Sequence, residues 1–458
     1  MQSKSIGGRH QRKIDPCDWS APPSTEAHVE QLKRSREKAA SLNQHAIGYG
    51  ALAEAEWNNA GLLPPDLMAM RHYRLQRIRQ ELVKRDLAGI HLYDPLNIRY
   101  ATDCTNMQLW TTHNPVRSVF IATDGPVILF EFHNCEHLSD HTGVVDEVRP
   151  CTAWFYFEAG NRCNEFAHNW AEQINDLLQE HGGGNKRCAF DQLDSHGVPW
   201  LESAGVDIIY GEELMEEARK IKSDDEIVCM RRAIVSCEAA IAEMEAALRP
   251  GISENDLWSL LHAGNIRRGG EWIETRLLSS GPRTNPWFQE SSARIIKAGE
   301  LVSFDTDLIG PYGFCCDISR CWLAGDDKPS DEQRTLYQIA AEQIAENTAL
   351  LKPGISFAEL VSAAKQLPAD CMATRYGVLF HGVGLCDEYP SIRYAVDHAD
   401  HGYDGHLEIG MCLCVESYVG RLGGYEGVKL EDQVLITENG AEMLSSYPLD
   451  QRLMEPVA

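Results

Sequence analysis

The C-terminal half of the chain concentrates side chains that bind metal ions. Carboxylates together with an imidazole suit first-row transition metals such as iron, manganese, cobalt or zinc, whereas an all-oxygen ligand set suits calcium or magnesium. We therefore expect a metalloenzyme that binds one or two divalent transition-metal ions in this region. The expected ligands are Asp305, Asp307, Asp317, His381, Glu416 and Glu431.

The three aspartates are expected on one apolar hairpin. Residues 301–309 are typical of a strand, on which residues two apart project from the same face, so Asp305 and Asp307 should point the same way. Turn residues at 310–313 should lead into a return strand, 314–323, that brings Asp317 beside them. Unpaired carboxylates in apolar surroundings are costly, which favours a bound cation. The alternative is a group of surface acids on an edge hairpin.

Two later strands, 411–419 and 427–437, are expected to place Glu416 and Glu431 face to face. If Gly423 and Gly424 form a two-residue turn, the two residue numbers of every cross-strand pair add up to the same value. The numbers of Glu416 and Glu431 add up to that value, so these two residues should be paired. Opposed side chains lie about 5 Å apart, and like charges there are destabilising unless metal ions lie between them. A β-bulge would break this register.

His381 begins a glycine-rich segment, 381–385, that follows the apolar residues 378–380. By itself, a histidine beside glycines is more often structural than a ligand. The five acids in the same half of the chain favour a ligand role.

The pattern of helices and strands divides the chain into three parts. Residues 1–63 have helix-compatible stretches, such as 26–43, and no strand pattern, so we expect an extension that packs on a partner or wraps the subunit. Residues 64–215 alternate helices and strands, as an α/β domain does. Residues 216–458 are expected to form the catalytic metal-binding domain, joined through the charged segment 216–225.

The C-terminal part contains an internal repeat. The sequence Leu-Arg-Pro-Gly-Ile-Ser at 248–253 returns as Leu-Lys-Pro-Gly-Ile-Ser at 351–356, and each copy ends a long helix and begins a second one. The first long helix should begin at a capping box formed by Ser223 and Glu226. We therefore expect two α-α-β halves related by pseudo-twofold symmetry, with metal ligands from both halves meeting between them.

Composition narrows the class of partner. The 458 residues contain 42 lysines and arginines and 68 aspartates and glutamates, a net charge of −26 that disfavours nucleic acid and anionic membranes. The start of the chain, 1–13, is basic and polar without the apolar run of a signal peptide, and no stretch is apolar enough to span a membrane. Cysteines such as Cys412 and Cys414 lie in apolar strands and are interpreted as small buried hydrophobic residues. Together, these features indicate a cytoplasmic protein.

The metal-binding motifs resemble those of the pita-bread metallopeptidase family, which includes methionine aminopeptidase, prolidase, aminopeptidase P and the creatinase fold. Gly-Phe-Cys-Cys-Asp-Ile-Ser-Arg at 313–320 resembles the strand of the family's second aspartate ligand, and Gly-Val-Lys-Leu-Glu-Asp at 427–432 resembles that of its last glutamate ligand. Residues 94–100 look like the N-terminal domain of the creatinase and prolidase branch. The resemblance implies an N-terminal creatinase-like α/β domain, a C-terminal pita-bread α+β domain and a homodimer.

The chain departs from the peptidase pattern at three places. The family's first aspartate position holds Thr306, flanked by two aspartates, and a histidine of the peptidases is replaced in the segment Asn285-Pro286-Trp287. Asp387 stands where a second auxiliary histidine is expected, before Glu388. These departures and the N-terminal extension resemble the branch of dimethylsulfoniopropionate (DMSP) lyases of the DddP type.

That resemblance implies a carbon-sulfur lyase that cleaves a small zwitterionic sulfonium, DMSP, to acrylate and dimethyl sulfide. It also implies iron as the first choice of metal, with manganese, zinc, cobalt or nickel as alternatives, and Asp387 as the general base. Aromatic faces suit a permanent cation, and we expect them from Trp287, Tyr376, Tyr389 and Trp110. The alternatives are a dinuclear metallohydrolase acting on X-Pro dipeptides and a catalytically inactive binding protein of the same fold.

Overall fold

The computed structural model describes residues 26–132 and 135–456. The basic segment 1–13 lies outside the described residues. Within them, none of the helices has both the length and the hydropathy that crossing a bilayer requires. The described α-helices are α1 (Glu26–Ala40), α2 (Gln44–Ile47), α3 (Ala51–Asn59), α4 (Leu67–Lys84), α5 (Pro95–Thr102), α6 (Gln108–Thr111), α7 (Tyr156–Ala159), α8 (Cys163–His181), α9 (Val198–Ala204), α10 (Glu212–Arg219), α11 (Asp224–Ala247), α12 (Glu254–Arg267), α13 (Asp331–Leu350), α14 (Phe357–Ala363), α15 (Ala395–His401) and α16 (Gln451–Met454).

The strands alternate with these helices in the N-terminal part and dominate the region that carries the expected metal ligands. They are β1 (Gly89–Leu92), β2 (Ser118–Ala122), β3 (Val127–Glu131), β4 (Glu147–Pro150), β5 (Arg187–Phe190), β6 (Asp207–Tyr210), β7 (Trp272–Ile273), β8 (Leu278–Ser280), β9 (Leu301–Asp305), β10 (Leu308–Ile309), β11 (Cys315–Cys316), β12 (Ser319–Leu323), β13 (Phe380–Val383), β14 (Asp387–Ile392), β15 (Cys412–Gly420), β16 (Gly427–Thr437) and β17 (Gly440–Met443).

The first six strands form one mixed sheet in the order β4-β3-β2-β1-β5-β6. β1 pairs antiparallel with β2 and parallel with β5. Every residue of β1, β2 and β3 is buried, because these apolar strands lie in the middle of the sheet with helices covering them. The alternating pattern of 64–215 therefore does form an α/β sheet.

The N-terminal extension packs on its own subunit through α3. Ala53 and Trp57 of this helix are fully buried. The indole Nε1 of Trp57 donates a hydrogen bond to the carbonyl oxygen of Arg232, on α11, at 2.7 Å. The Arg232 guanidinium also lies over the Trp57 ring, 4.6 Å from its centroid. A continuous apolar core therefore joins the extension to α11.

The internal repeat has the predicted helical form. Ser223 and Glu226 form a capping box at the start of α11, and Ser330 and Gln333 form another at the start of α13. Each long helix ends at a Leu-x-Pro-Gly-Ile-Ser segment whose serine caps the next helix, α12 or α14. Each copy of the repeat thus joins a long helix to a second helix, as the sequence predicted.

The strands of the two halves form three sheets. A five-stranded sheet has the order β14-β13-β15-β16-β17, and two three-stranded sheets have the orders β12-β9-β8 and β11-β10-β7. β9 and β12 contact β16, so the sheet β12-β9-β8 of the first half lies against the large sheet of the second. The faces that meet there carry the expected metal ligands.

The prediction of one continuous strand over 301–309 is wrong. β9 ends at Asp305 and β10 begins at Leu308, and between them Asp307 has a φ of 35°, in the left-handed region. The Thr306 hydroxyl holds this break: it donates to the carbonyl oxygen of Cys316 at 2.7 Å and accepts from the amide of Ile318 at 3.0 Å. The return segment 314–323 is likewise divided, into β11 and β12.

The charged segment 216–225 is more than a linker. Its first residues belong to α10, which packs on α4 and contacts β14. The Glu216 carboxylate accepts a hydrogen bond from the amide of Tyr389, on β14, at 2.8 Å. A charged residue of this segment therefore fastens α10 to the strand that carries Asp387.

Candidate metal centre

The two glutamates of the centre face each other across a strand pair. β15 and β16 are antiparallel and keep one register from Cys412 paired with Leu435 to Gly420 paired with Gly427, and within it Glu416 is paired with Glu431. The register predicted from the turn is confirmed. Both side chains are buried, at 1% and 0% exposure. Two carboxylates at this spacing repel each other, so the pair needs cations close by.

His381 lies against both glutamates and one aspartate. Its Nε2 atom is 3.1 Å from Glu416 Oε1, 3.5 Å from Glu431 Oε1 and 3.5 Å from Asp317 Oδ2. The residue is on β13, which pairs with β15 and places His381 opposite Cys414. A register shift between His381 and Gly382 disturbs the pairing of β13 with β14 at this point.

The three aspartates approach one another although no single strand holds them. Asp305 ends β9, Asp307 lies in the break that follows, and Asp317 lies between β11 and β12. One carboxylate oxygen of each comes within 4.8 Å of the other two. Ser319 donates to Asp305 Oδ1 at 2.7 Å and Thr275 donates to Asp307 Oδ2 at 2.8 Å, which orients these two groups.

A second set of potential ligands shares Asp317 with the aspartate group. Asp317, His381, Cys414 and Glu431 each offer one ligand atom within 4.8 Å of the others, and all four are buried. Because Asp317 belongs to both sets, two neighbouring cation positions with one shared carboxylate fit the arrangement. Glu416 adds a further oxygen beside His381.

The donor chemistry fits divalent metal ions. Asp317 Oδ1 and Glu431 Oε1 are buried and accept no hydrogen bond from the described residues. Burial raises the pKa of Asp307 to about 8, with the charge of Asp305 adding to the shift. Burial and the charge of Glu431 raise the pKa of Glu416 to about 7. Crowded buried carboxylates with oxygen atoms that lack a donor are expected where a cation is bound.

Lys429 is a member of the centre that the sequence analysis missed. Its Nζ atom lies 3.0 Å from Asp305 Oδ2, 2.5 Å from Glu416 Oε2 and 2.9 Å from Glu431 Oε2. Although burial opposes ionisation of Glu431, Lys429 and His381 together hold the pKa of that carboxyl well below its usual value. The available signal was strand alternation: Lys429 stands two residues before Glu431 on β16 and shares its face.

Cys414 also belongs to the centre, whereas the sequence analysis treated it as a small buried hydrophobe. Its Sγ atom is 3.8 Å from Asp317 Oδ2, and the residue stands two positions before Glu416 on β15. Burial raises the pKa of the Cys414 thiol well above its usual value, and the charge of Asp317 adds to the shift. Ionising this thiol beside the carboxylates is therefore costly unless a cation is bound.

Asp387 lies on the opposite side of the His381 ring from the glutamates. Its Oδ1 atom is 3.7 Å from His381 Nδ1, and its side chain is 57% exposed. Burial of its inner part raises the pKa of this carboxyl, while His381 opposes the shift. Asp387 is thus next to the expected metal ligand His381 and, unlike it, is exposed to solvent.

The structure separates the four aromatic residues expected to contact substrate. Tyr376 is closest to the centre, with Lys429 Nζ 4.8 Å from its ring centroid, and Trp287 packs with Tyr376 and Tyr418 in one small cluster. The Tyr389 ring instead contacts Phe357, Tyr403 and Lys220, and Trp110 contacts Phe132 and Phe157 in the N-terminal domain.

With this geometry in view, comparison with known proteins assigns the fold and the family. Residues 228–438 match Metallopeptidase family M24. The Xaa-Pro dipeptidase from Bacillus anthracis has a TM-score of 0.65 and 23% identity, covering 83% of this chain and 99% of its own. The X-Pro aminopeptidase from Thermotoga maritima has a TM-score of 0.66 and 21% identity, covering 82% and 98%. These likenesses show the pita-bread fold.

Two curated relatives are far more similar in sequence. The dimethylsulfoniopropionate lyase DddP of Roseovarius nubinhibens is 49% identical over 417 residues, 90% of this chain and 94% of the relative. The DddP of Roseobacter denitrificans is 47% identical over 419 residues, with the same coverage. At this identity and coverage, the chain belongs to the DddP family of dimethylsulfoniopropionate lyases within the M24 metallopeptidase fold.

Proposed function

We propose that this protein is a metal-dependent carbon-sulfur lyase that cleaves DMSP to acrylate and dimethyl sulfide. The observation that carries the proposal is the position of Asp387, a partly exposed carboxylate beside the metal-binding residues, where a peptidase of this fold would use a histidine. An aspartate there suits removal of a proton from carbon. The two DddP relatives, which are named as lyases of this substrate, support the same reading.

The proposed metal ligands are the six residues expected from the sequence. They would hold one or two divalent ions, with iron as our first choice and manganese, zinc, cobalt or nickel as alternatives. A bound ion supplies Lewis-acid polarisation of the substrate carboxylate, which acidifies the neighbouring C–H bond. The ligands are Asp305, Asp307, Asp317, His381, Glu416 and Glu431.

The protein's own groups carry out the proton transfer and bind the leaving group. Asp387 takes the proton from the carbon next to the carboxylate, the C–H electrons form the new double bond, and the carbon-sulfur bond breaks with its electrons going to sulfur. Neutral dimethyl sulfide leaves, so no proton donor is needed on that side. We propose Tyr376 and Trp287 as the aromatic faces for the sulfonium, because they lie nearest the metal-binding groups.

The segment that replaces the peptidase histidine has a structural role. The Asn285 side chain donates hydrogen bonds to the carbonyl oxygens of Arg421 and Gly424 at 2.8 and 3.1 Å, and it accepts one from the Tyr418 hydroxyl at 3.0 Å. Asn285 therefore fastens the turn between β15 and β16. An amide committed to these bonds has no ionisable proton to transfer, which supports a lyase over a hydrolase.

The test is headspace detection of dimethyl sulfide after DMSP is added to purified, metal-loaded protein. We expect dimethyl sulfide and acrylate in equal amounts, and no hydrolysis of a panel of X-Pro dipeptides assayed with added manganese. Cleavage of the dipeptides without release of dimethyl sulfide would favour the hydrolase. Absence of a stoichiometric metal and of both activities would favour a binding protein.

We further propose a homodimer in the cytoplasm. The described cysteines form no disulfide with one another, as is usual in a reducing compartment. An exposed group of large apolar side chains in the N-terminal domain, including Leu109, Tyr156 and Phe157, is compatible with contact between subunits. Light scattering coupled to size-exclusion chromatography measures the mass, and a value near that of one 51.2 kDa chain would rule out the dimer.

A further inference from the structure

Lys429 is a fully buried ammonium group inside a cluster of acids. Its side chain is 0% exposed. Besides the three carboxylates described above, Nζ donates to Ser319 Oγ at 2.8 Å. The Tyr376 ring covers the group at 4.8 Å. All N–H donors of Lys429 therefore have acceptors. The Tyr376 ring also blocks access to the ammonium group from the side that it covers.

Burying a lysine costs several kcal/mol unless the charge is paired. This lysine is paired with Asp305, Glu416 and Glu431 together, which are ligands from both halves of the fold. It stands on β16, whose backbone is fixed between β15 and β17. Lys429 is thus a positive charge in a fixed place, in contact with the ligands and not with solvent.

The charges of the centre can be counted. Asp305, Asp307, Asp317, Glu416 and Glu431 carry five negative charges when ionised. Lys429 supplies one positive charge and two divalent ions supply four, so the buried groups reach zero net charge. Asp387 is left out of this count because its side chain is largely exposed to solvent.

We propose that Lys429 is the positioning residue that sets the charge state of the metal centre, so that the centre holds two ions in their divalent form. This inference rests on the metal centre of the proposed function but not on its substrate. Without Lys429, two divalent ions would leave one negative charge, and replacing one of them by a trivalent ion would restore neutrality. In a buried site a charge imbalance of this kind is expensive.

The test compares Lys429→Met, which keeps the length of the side chain and removes its charge, with Lys429→Arg, which keeps the charge. Each protein is freed of metal, loaded with Fe²⁺ without oxygen, and titrated with dithionite and ferricyanide while Mössbauer spectra report the Fe³⁺ fraction. In Lys429→Met we expect the ratio of Fe³⁺ to Fe²⁺ affinity to rise at least tenfold, a fall of about 59 mV in midpoint potential. Lys429→Arg should stay close to the unmodified protein.

Two results would overturn the proposal. One is an unchanged midpoint potential in Lys429→Met at the same iron content, and the other is an equal shift in Lys429→Arg, which would mean that shape matters and charge does not. If the methionine variant does not fold, Lys429→Gln keeps a hydrogen-bond donor without the charge and is judged by the same criteria. No substrate is present, so failure to release dimethyl sulfide would refute the proposed activity and leave this result standing.

Discussion

The Arg219 guanidinium lies with its Nε 3.2 Å from a carboxylate oxygen of Glu388, the residue that follows Asp387 on β14. Both side chains are buried, and Lys222 forms a second ion pair with the same carboxylate. Neighbouring strand residues point to opposite faces, so Glu388 is anchored on one face while Asp387 projects from the other. The ion pairs from α10 and the segment after it thus hold the backbone of Asp387 in place.

Replacing Glu388 with glutamine should therefore affect both stability and turnover. The change leaves Arg219 and Lys222 buried with less negative charge between them, which typically costs about 3 kcal/mol. We also expect kcat to fall more than KM changes, because Asp387 loses its fixed position while the metal ligands keep theirs. Denaturant titration and steady-state kinetics measure the two effects.

Glu408→Gln is the matched control for Glu388. Glu408 pairs with Lys220 at 2.7 Å, but its side chain is 38% exposed, so the pair is worth about 1 kcal/mol or less. A loss of stability equal to that of the Glu388 variant would show that the anchor is not specific.

Asp387→Asn should abolish the chemistry and spare the metal. Because the amide cannot accept the substrate proton, we expect kcat to fall about 10²- to 10⁴-fold. Metal content should be unchanged, since the six proposed ligands are intact. Acrylate formation and elemental analysis measure these quantities, and Asp86→Asn, which alters an exposed ion pair with Arg187 in the N-terminal domain, is the control. Retained activity would exclude Asp387 as the base.

Asp317→Asn should lower the amount of bound metal more than the replacement of a carboxylate outside the centre. Asp317 belongs to both groups of ligand atoms, so its replacement weakens both cation positions. We expect elemental analysis after dialysis to show much less bound metal than in the unmodified protein, with activity lost in parallel. Removing the metal from the unmodified protein with a chelator should also abolish activity. The control is Asp432→Asn, next to Glu431 but paired with Arg320 at 2.7 Å on the other face. Equal metal loss in the control would argue against the assignment.

Tyr376→Leu should weaken substrate binding. An aromatic face contributes about 0.5 to 2 kcal/mol to binding a cation, so we expect KM for DMSP to rise about 2- to 30-fold. Tyr376→Phe keeps the ring and its stacking on Phe288, at a centroid distance of 5.2 Å, and should stay near the native KM. Identical KM values for the leucine and phenylalanine variants would show that the ring does not contact the sulfonium.

We expect His91, on β1 of the N-terminal sheet, to make the protein less stable in acid. The side chain is buried among aromatic rings, and burial lowers the pKa of this histidine to about 3. In the unfolded chain its pKa is about 6.5, so the unfolded state takes up a proton first. The folded protein should therefore lose stability from this residue as the pH falls below about 6.5.

His91→Leu tests this dependence. Between pH 7.5 and pH 5 the unmodified protein should lose about 2 kcal/mol of unfolding free energy that the variant keeps. Denaturant titrations of both proteins at several pH values give the difference. A constant difference across this range would show that His91 does not titrate as its surroundings indicate.

The sequence by itself determined the local features of the centre. The capping box of Ser223 and the register that opposes Glu416 to Glu431 follow from hydrogen bonds and turns between residues close in the chain, so their pattern can be read directly. The alternation of strands and helices indicated the fold class for the same reason.

Only the tertiary structure decided how distant segments share the centre. The interruption between β9 and β10 at Asp307 depends on the Thr306 hydroxyl, which bridges to the return segment. The separation of Tyr376 from Tyr389 depends on which elements pack beside each of them. Lys429 has an ordinary place in its strand, and its partners come from β9 and β15. Contacts between segments far apart in the chain set these positions, and their geometry is fixed when the two halves pack together.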